Sequence, residues 1–325
     1  MHKSISAAAL ATVSLAVVGL QPATANSSPS LSAAAVASRT AGVRIATHFD
    51  LAAGQTPENV VLAPGGVAYV TFAVSRQVAR VAPNGAIRIL ATLPAPSDGG
   101  VNTPALGFPL TTGIVRDTHG TLYFLYATGT ADLTGVWRLR PGGKPERIAA
   151  LPANGLPNGL ALDERTGSLY IADSVLSTVW RVSKTGGTPM TWSTAPELAS
   201  TGFLGANGLK LRGGAVWVTN LDKGTVLRIP IDHRRRAGKI QTRATGLAGI
   251  DDFAFTGRGD QILATLNPSN TVVLIQPNGA SRTVLTAADG LSNPTSIAIR
   301  GTTAYIFSAA YLTQKDPNLI LARLP

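Results

Sequence analysis

Six times between Thr56 and the C-terminus the chain repeats one plan, and this repeat constrains the fold more than any other feature. Each unit opens on a leading residue, runs into an apolar strand, turns, and comes back in a second strand; a loop and a third strand follow. The leading segments read TPENVVL, LTTGIVR, LPNGLAL, GANGLKL, GIDDFAF and NPTSIAI. The second strands read VAYVT, TLYFL, SLYIA, AVWVT, QILAT and TAYIF, and the third QVARV, GVWRL, TVWRV, TVLRI, TVVLI and LILAR. Counted from Glu58 to Thr112, Asn158, Asn207, Asp251 and Thr295, the intervals are 54, 46, 49, 44 and 44 residues. A period of roughly 40 to 50 residues with several strands in each unit is the signature of a propeller blade, so the chain is expected to be all-β, a six-bladed β-propeller.

The clearest unit is the third. Its apolar alternation predicts strands over Leu160 to Leu162, Leu169 to Ala172 and Thr178 to Val182, with a Gly-containing turn from Glu164 to Gly167. Units one to five each carry a fourth strand, such as IRILATL, ERIAALP and SRTVLTA, whereas the sixth stops at its third. An orphan strand from Val43 to Phe49, VRIATHF, has no partner nearby in sequence and matches the missing piece. The N-terminal strand is therefore expected to complete the last blade, which also covers an otherwise open sheet edge. A stray edge strand on an open array is the alternative.

Before that strand lie two segments of different character. Residues 1–25 have a short start with His2 and Lys3, an apolar run from Ala7 to Leu20, and Ala23-Thr24-Ala25 as a small-x-small cleavage signal; they read as a secretory signal peptide. Residues 26–40 are rich in Ser and Ala and read as a flexible linker, which leaves 41–325 for the propeller. The product is expected to be secreted. Without cysteine it has neither a disulfide nor a lipid-modified cysteine, so its stability must come from its core and from ring closure.

Only 14% of residues are charged, yet the net charge is +11. That excess draws a protein to anionic cell-wall polymers, nucleic acid or acidic substrates. The one dense run, His233-Arg234-Arg235-Arg236, lacks aromatic interleaving and any nucleic-acid motif, and reads as a solvated hairpin loop.

In a propeller the first strand of each blade is innermost, so the leading residues converge at one mouth of the central channel. Here they are Glu58, Thr112, Asn158, Asn207, Asp251 and Thr295. Two carboxylates and two amides suit a hard cation such as Ca²⁺, which takes oxygen ligands at roughly 2.3 to 2.6 Å. Without a cation, Glu58 and Asp251 would repel each other. Each residue also has a plainer reading. An Asn before Gly, as at Asn158 and Asn207, is a common turn device; Glu58 could be a solvated loop carboxylate, and Asp251 and Asp252 could cap a strand or pair with an Arg. Strand alternation turns Asp252 away from the channel, and a shifted register would exchange it with Asp251.

With this ordered ring the chain resembles the senescence marker protein and gluconolactonase superfamily of six-bladed propellers, at blade level over about residues 43–325. The resemblance implies one divalent cation, commonly Ca²⁺, held by Glu58 of PENVVL, Asn207 of ANGLKL and Asp251 of IDDFAF. Asn158 of PNGLAL would contact substrate or metal-bound water. Asp251 would be both ligand and catalytic general base in the hydrolysis of a lactone or ester. There are departures: Asn59 follows Glu58 where lactonases usually have Gly, and Leu156 stands where lactonases like the vertebrate member place a substrate-holding Arg. The related strictosidine-synthase-like propellers need no metal and often carry a disulfide.

Thr112, Asp173, Asn220 and Thr295 are candidates for supporting contacts around the site, with Asp173 and Asn220 reading equally as loop caps. Asp222, Lys223, Asn267 and the segment Tyr311 to Pro317 share the same mouth. His119 and His233 fall at the opposite mouth and His48 on the closing strand, which argues against imidazole zinc chemistry and a Ser-His-Asp triad. Trp137 and Trp180 read as blade packing. Gly142-Gly143 and Gly213-Gly214 sit in hairpin turns and lack the context of a phosphate loop. The long segment Pro94 to Leu110 is a candidate lid.

The expected function is a secreted metal-dependent hydrolase. Its partner would be a small-molecule lactone or ester, met by a monomer with no nucleic acid and no integral membrane segment after signal removal. The alternative is a non-catalytic propeller that binds a small ligand, cell-wall component or protein, any metal then being structural.

Overall fold

The computed structural model describes residues 42–324, so the expected signal peptide and linker lie outside the described residues. Twenty-four strands form six four-stranded antiparallel sheets. Blade one is built from Pro57–Leu62, Ala68–Phe72, Gln77–Val81 and Ile87–Thr92. Blade three follows the same order with Pro157–Asp163, Ser168–Asp173, Thr178–Ser183 and Met190–Thr194, which contain the three strands expected there. The remaining inner strands are Leu110–Arg116, Ala206–Arg212, Ile250–Phe255 and Pro294–Arg300. Among the described residues no helix is long and apolar enough to cross a membrane.

The last blade closes as expected. Arg44–His48 pairs antiparallel with Asn318–Arg323, Arg44 opposite Leu321 and His48 opposite Asn318. Phe49 then packs edge-on against Phe72 of blade one at 5.2 Å and stacks with Phe307 of blade six at 6.1 Å, so the seam is sealed by aromatic burial.

The core is divided between adjacent blades. Blade-facing residues such as Phe253, Trp217 and Ile262, or Tyr170, Leu209 and Val218, form apolar layers between neighbouring sheets. The six inner strands touch one another in order and return from blade six to blade one. A set of hydroxyl-to-carbonyl hydrogen bonds binds each blade to the next. Thr71 Oγ1 donates to the Thr112 carbonyl (2.7 Å), Thr112 Oγ1 to Pro157 (2.8 Å), Ser174 Oγ to Ala206 (2.6 Å) and Thr219 Oγ1 to Asp251 (2.8 Å). Thr265 Oγ1 donates to Thr295 (3.4 Å) and Thr295 Oγ1 to Pro57 (2.7 Å), which completes the circle.

Inner strands approach so closely that some positions exclude a side chain. A Cβ on Gly159 would lie 2.1 Å from the Asn207 carbonyl oxygen, and one on Gly208 would lie 2.6 Å from that of Asp251. Neither glycine has positive φ. Glycine therefore follows Asn158 and Asn207 because the next blade's backbone passes there, and the turn reading of these Asn-Gly pairs gives way to a packing one.

Candidate functional site

Each inner strand carries a register shift near its start, between Pro57 and Asn59, Thr111 and Ile114, Pro157 and Leu160, Ala206 and Leu209, Ile250 and Phe253, and Pro294 and Ser296. The six leading residues sit inside these shifts. A bulge re-aims a side chain that simple alternation would send into the blade interface, and it recurs here at every blade. All six residues are buried: Glu58 is 7% exposed, Asp251 8%, Asn158 6% and Asn207 2%, with Thr112 and Thr295 fully covered.

Three side chains, from blades four, five and six, hold the two carboxylates. Asn207 Nδ2 donates to Asp251 Oδ1 (3.2 Å) and Asn267 Nδ2 to Asp251 Oδ2 (3.1 Å). The Tyr311 hydroxyl donates to Glu58 Oε2 at 2.5 Å. Asn207 Oδ1 is buried with no hydrogen-bond partner. Neither Glu58 nor Asp251 has a basic partner among the described residues. The nearby cation, Lys210, is committed to Asp252, with Nζ 2.7 and 2.9 Å from its two carboxylate oxygens. The adjacent aspartates thus separate: Asp251 joins the amides, and Asp252 joins the ion pair.

Burial without a countercharge raises both acids. Desolvation pushes Glu58 up to about 7, against a lowering by the Tyr311 hydrogen bond and a further rise from the Asp252 charge. Desolvation and then the Glu58 charge hold Asp251 well above the carboxylate range, while the Asn267 and Asn207 amides pull it down. Tyr311 is held well above its ordinary value, first by burial and then by the Glu58 charge, so it stays a donor.

The donor set fits a hard cation. Glu58, Asp251 and the unpartnered Asn207 Oδ1 offer oxygen donors, and a cation would take the place of the protons that the raised carboxyl groups otherwise keep. Among the described residues no group of three or more His, Cys, Asp and Glu that could hold a metal converges, so a cation here would have to draw on amide oxygen as well as carboxylate. Asn158 lies buried in the same ring, 6% exposed.

No protein-family model matches the chain, and no curated protein matches it in sequence. Solved structures do match. Virginiamycin B lyase from Staphylococcus aureus is 16% identical at a TM-score of 0.58, over 84% of this chain and 82% of that one. A calcium-binding protein, regucalcin from Agrobacterium tumefaciens, is 14% identical at a TM-score of 0.60, over 82% of this chain and 90% of that one. The chain shares with these structures the six-bladed β-propeller fold. A luciferin-regenerating enzyme shares it at 12% identity and a TM-score of 0.60, over 87% of this chain and 95% of that one.

On this propeller the other candidate residues fall into distinct places. The Thr112 and Thr295 hydroxyls are used in the blade-to-blade circle. Asp173 Oδ1 accepts from the backbone N–H groups of Leu156, Val175 and Leu176 and so organises its loop. Asn220 Nδ2 donates to the Glu197 and Ala199 carbonyls, and its Oδ1 accepts from Lys223 N–H. Asp222 caps four successive N–H groups from Thr201 to Leu204. His48 bonds Asp316 near the start of the last blade's third strand, whereas His119 and His233 occupy turns of the opposite face. Trp137 packs edge-on against Tyr126 at 6.2 Å, and Trp180 lies against the core between blades two and three.

At the same mouth, on the side of blades two to four, lies a partial apolar collar. Leu110, Leu156 and Leu204 are buried together, with Leu106, Phe108, Val175, Leu221 and Tyr311 packed on them. Leu106 and Phe108 come from the long segment before blade two, which is tied down by Tyr126 hydroxyl donation to the Pro94 carbonyl at 2.7 Å. Asn267 and Tyr311 are the site residues that sequence reasoning left outside the ring. Asn267 follows its second strand much as Asp173 and Asn220 end theirs, a positional signal that was present. Tyr311 opens the Tyr311 to Pro317 segment expected at this mouth, but its partner Glu58, 253 positions away, carries no such signal.

Replacing Tyr311 by Phe removes the hydrogen bond that lowers Glu58 and leaves the collar intact. Cation affinity at pH 7 is expected to fall about tenfold and to recover at pH 8.5, because proton competition at Glu58 strengthens. Calorimetric titration at both pH values checks this; an equal loss at both would assign Tyr311 a purely structural part.

Proposed function

We propose that the mouth of this propeller binds one divalent cation, Ca²⁺ in the first instance, and hydrolyses an ester or lactone. The observation that carries the reading is the unpartnered, buried Asn207 Oδ1 beside two buried carboxylates with no basic partner among the described residues. Such an arrangement is costly unless a positive ligand completes it.

Glu58, Asn207 and Asp251 would hold the cation. When bound, it supplies Lewis acidity to a carbonyl oxygen and lowers the pKa of water. Asp251 would take the proton of the attacking water at a carboxylate oxygen, with Asn267 and Asn207 fixing the carboxylate plane. Asn158 would orient the ester through its amide. Tyr311 keeps its proton and fixes Glu58 through Oε2, and the other carboxylate oxygen would be offered to the cation. The collar of Leu106, Phe108, Val175 and Leu221 excludes water and favours a substrate with an apolar body over a bare sugar lactone.

The test is a panel of γ- and δ-lactones and aryl esters with increasing acyl length, assayed with calcium and with chelator. Chelator-sensitive hydrolysis that improves with acyl length is expected. Calcium binding without turnover on any member would favour a ligand-binding propeller with a structural ion.

A further inference from the structure

The two faces of the disc differ in charge. The loops that surround the mouth carry Asp50, Asp98, Asp132, Glu197, Asp222, Asp289 and Asp316, and among the described residues only Arg76, Lys223 and Lys315 as basic groups. The hairpin turns of the opposite face carry much of the positive charge, and it is densest at blades three and four. There the turn after Thr225–Pro230 presents Arg234, Arg235, Arg236 and Lys239, flanked by Arg181 and Arg243 on neighbouring strands. Apart from Arg236, which pairs with Asp232 at 2.9 Å, none of these has a carboxylate partner among the described residues.

The basic turn is held in place at both ends. Asp232 Oδ1 accepts from the N–H groups of Arg234 and Arg236, each at 2.8 Å. The Arg235 carbonyl accepts from Arg181 Nη1 and from Trp192 Nε1, both at 2.9 Å, which ties the turn of blade four onto blade three. Arg235 itself takes a positive φ of 62°. Consecutive guanidinium groups repel one another, so fixing them together raises the energy of the free protein and lowers it in contact with an anion. The groove of about 690 Å³ beside the turn is lined by Asp163, Glu164 and Asp232 as well as by Arg165, Arg212, His233 and Arg235, and Arg165 and Arg212 face Asp163 and Asp260, so the uncompensated positive charge lies on the turn itself.

The aromatic rings near this patch are already covered. Arg212 lies over Phe255 at 4.7 Å and Arg243 over Trp217 at 5.9 Å. Trp192 is half-buried edge-on against Tyr170. No large aromatic of this face is exposed among the described residues, so stacking platforms for bases are lacking. Guanidinium groups with free edges instead match phosphate geometry.

We propose that this face docks a linear phosphodiester polymer without bases, across the basic turn that ties blade four to blade three, with Arg234, Arg235 and Lys239 neutralising successive phosphates. Docking this way turns the acidic mouth outward and leaves it open to its ligand.

The experiment uses the full chain and immobilised poly(glycerol phosphate) at a series of salt concentrations. Affinity is expected to fall linearly with salt on logarithmic axes, as counterion release requires. The triple variant Arg234→Gln, Arg235→Asn, Lys239→Gln removes three charges without touching the Asp232 cap, and Asn accepts the positive φ. It should bind at least roughly tenfold more weakly, with a shallower salt slope. Calcium titration of both proteins, free and on the polymer, should be unchanged, which separates this proposal from the reading of the mouth. Absence of binding at low salt, or equal affinity of the triple variant, overturns it. Equal or tighter binding to oligo(dT) overturns it in favour of a nucleic-acid partner.

Discussion

Replacing Asp251 by Ala should abolish calcium binding and ester hydrolysis together. Asp251 is where the amides of blade four and blade five meet, and the charge of Glu58 on blade one acts on it. Removing it takes away a ligand and the proposed base at one stroke. Cation affinity is expected to drop by at least roughly a hundredfold, beyond the usual effect of losing a supporting contact, and hydrolysis should fall to the level seen with chelator. The Ala variant also leaves the Asn207 and Asn267 amides without their acceptor, at a cost of about 1–3 kcal/mol for each buried donor. Asp251→Asn is therefore the companion variant, since it keeps the volume and one acceptor oxygen. If it unfolds at the wild-type temperature yet fails to bind calcium in the calorimeter, the loss belongs to the site. Undiminished turnover in either variant would remove Asp251 from the chemistry.

The second large effect concerns stability. Cation-free protein should become less stable as pH rises from about 4.5 to about 7. Glu58 has an ordinary value of 4.5 and is pushed up to about 7 in the fold, so across this window the folded chain keeps a proton that the unfolded chain has released. Stability falls with pH wherever the folded state binds more protons, and the full loss, of order 3 kcal/mol, is present above about pH 7. Asp251, raised for the same reason, adds in the same direction. Saturating calcium should reverse the trend. Glu58→Gln should flatten the pH dependence, stabilise the cation-free protein at pH 8, and abolish the calcium response. Urea denaturation at half-unit pH steps, with calcium and with chelator, checks all three. A wild-type curve without slope between pH 4.5 and 7 would mean that Glu58 is not desolvated in solution.

The architecture was legible because period-two alternation within each strand and a period of 44 to 54 residues between blades are both one-dimensional signals. VRIATHF could be placed at the far end of the chain because the sixth unit visibly lacked a strand. The leading residues could be aligned for the same reason. Their surroundings were less legible. Alternation alone says that Asp251 and Asp252 point apart, but it is the bulge from Ile250 to Phe253 that gives one to the amides and the other to Lys210. The glycines after Asn158 and Asn207 look like turn formers until the neighbouring blade's carbonyls are seen against them. Tyr311 reaches Glu58 only through ring closure, and the charge separation between faces is invisible in sequence because mouth loops and far-side hairpins alternate along the chain.

The circle of hydroxyl bonds acts on the site as a hoop acts on a barrel. Each acceptor carbonyl belongs to a leading residue or to the residue just before it, so the bond that fastens two blades also sets where a site side chain begins. A hoop under even tension cannot be loosened at one place without slackening everywhere. Damage to the closing strand at the rim, far from Asp251, should therefore reach the centre as a change in the spacing of its oxygens.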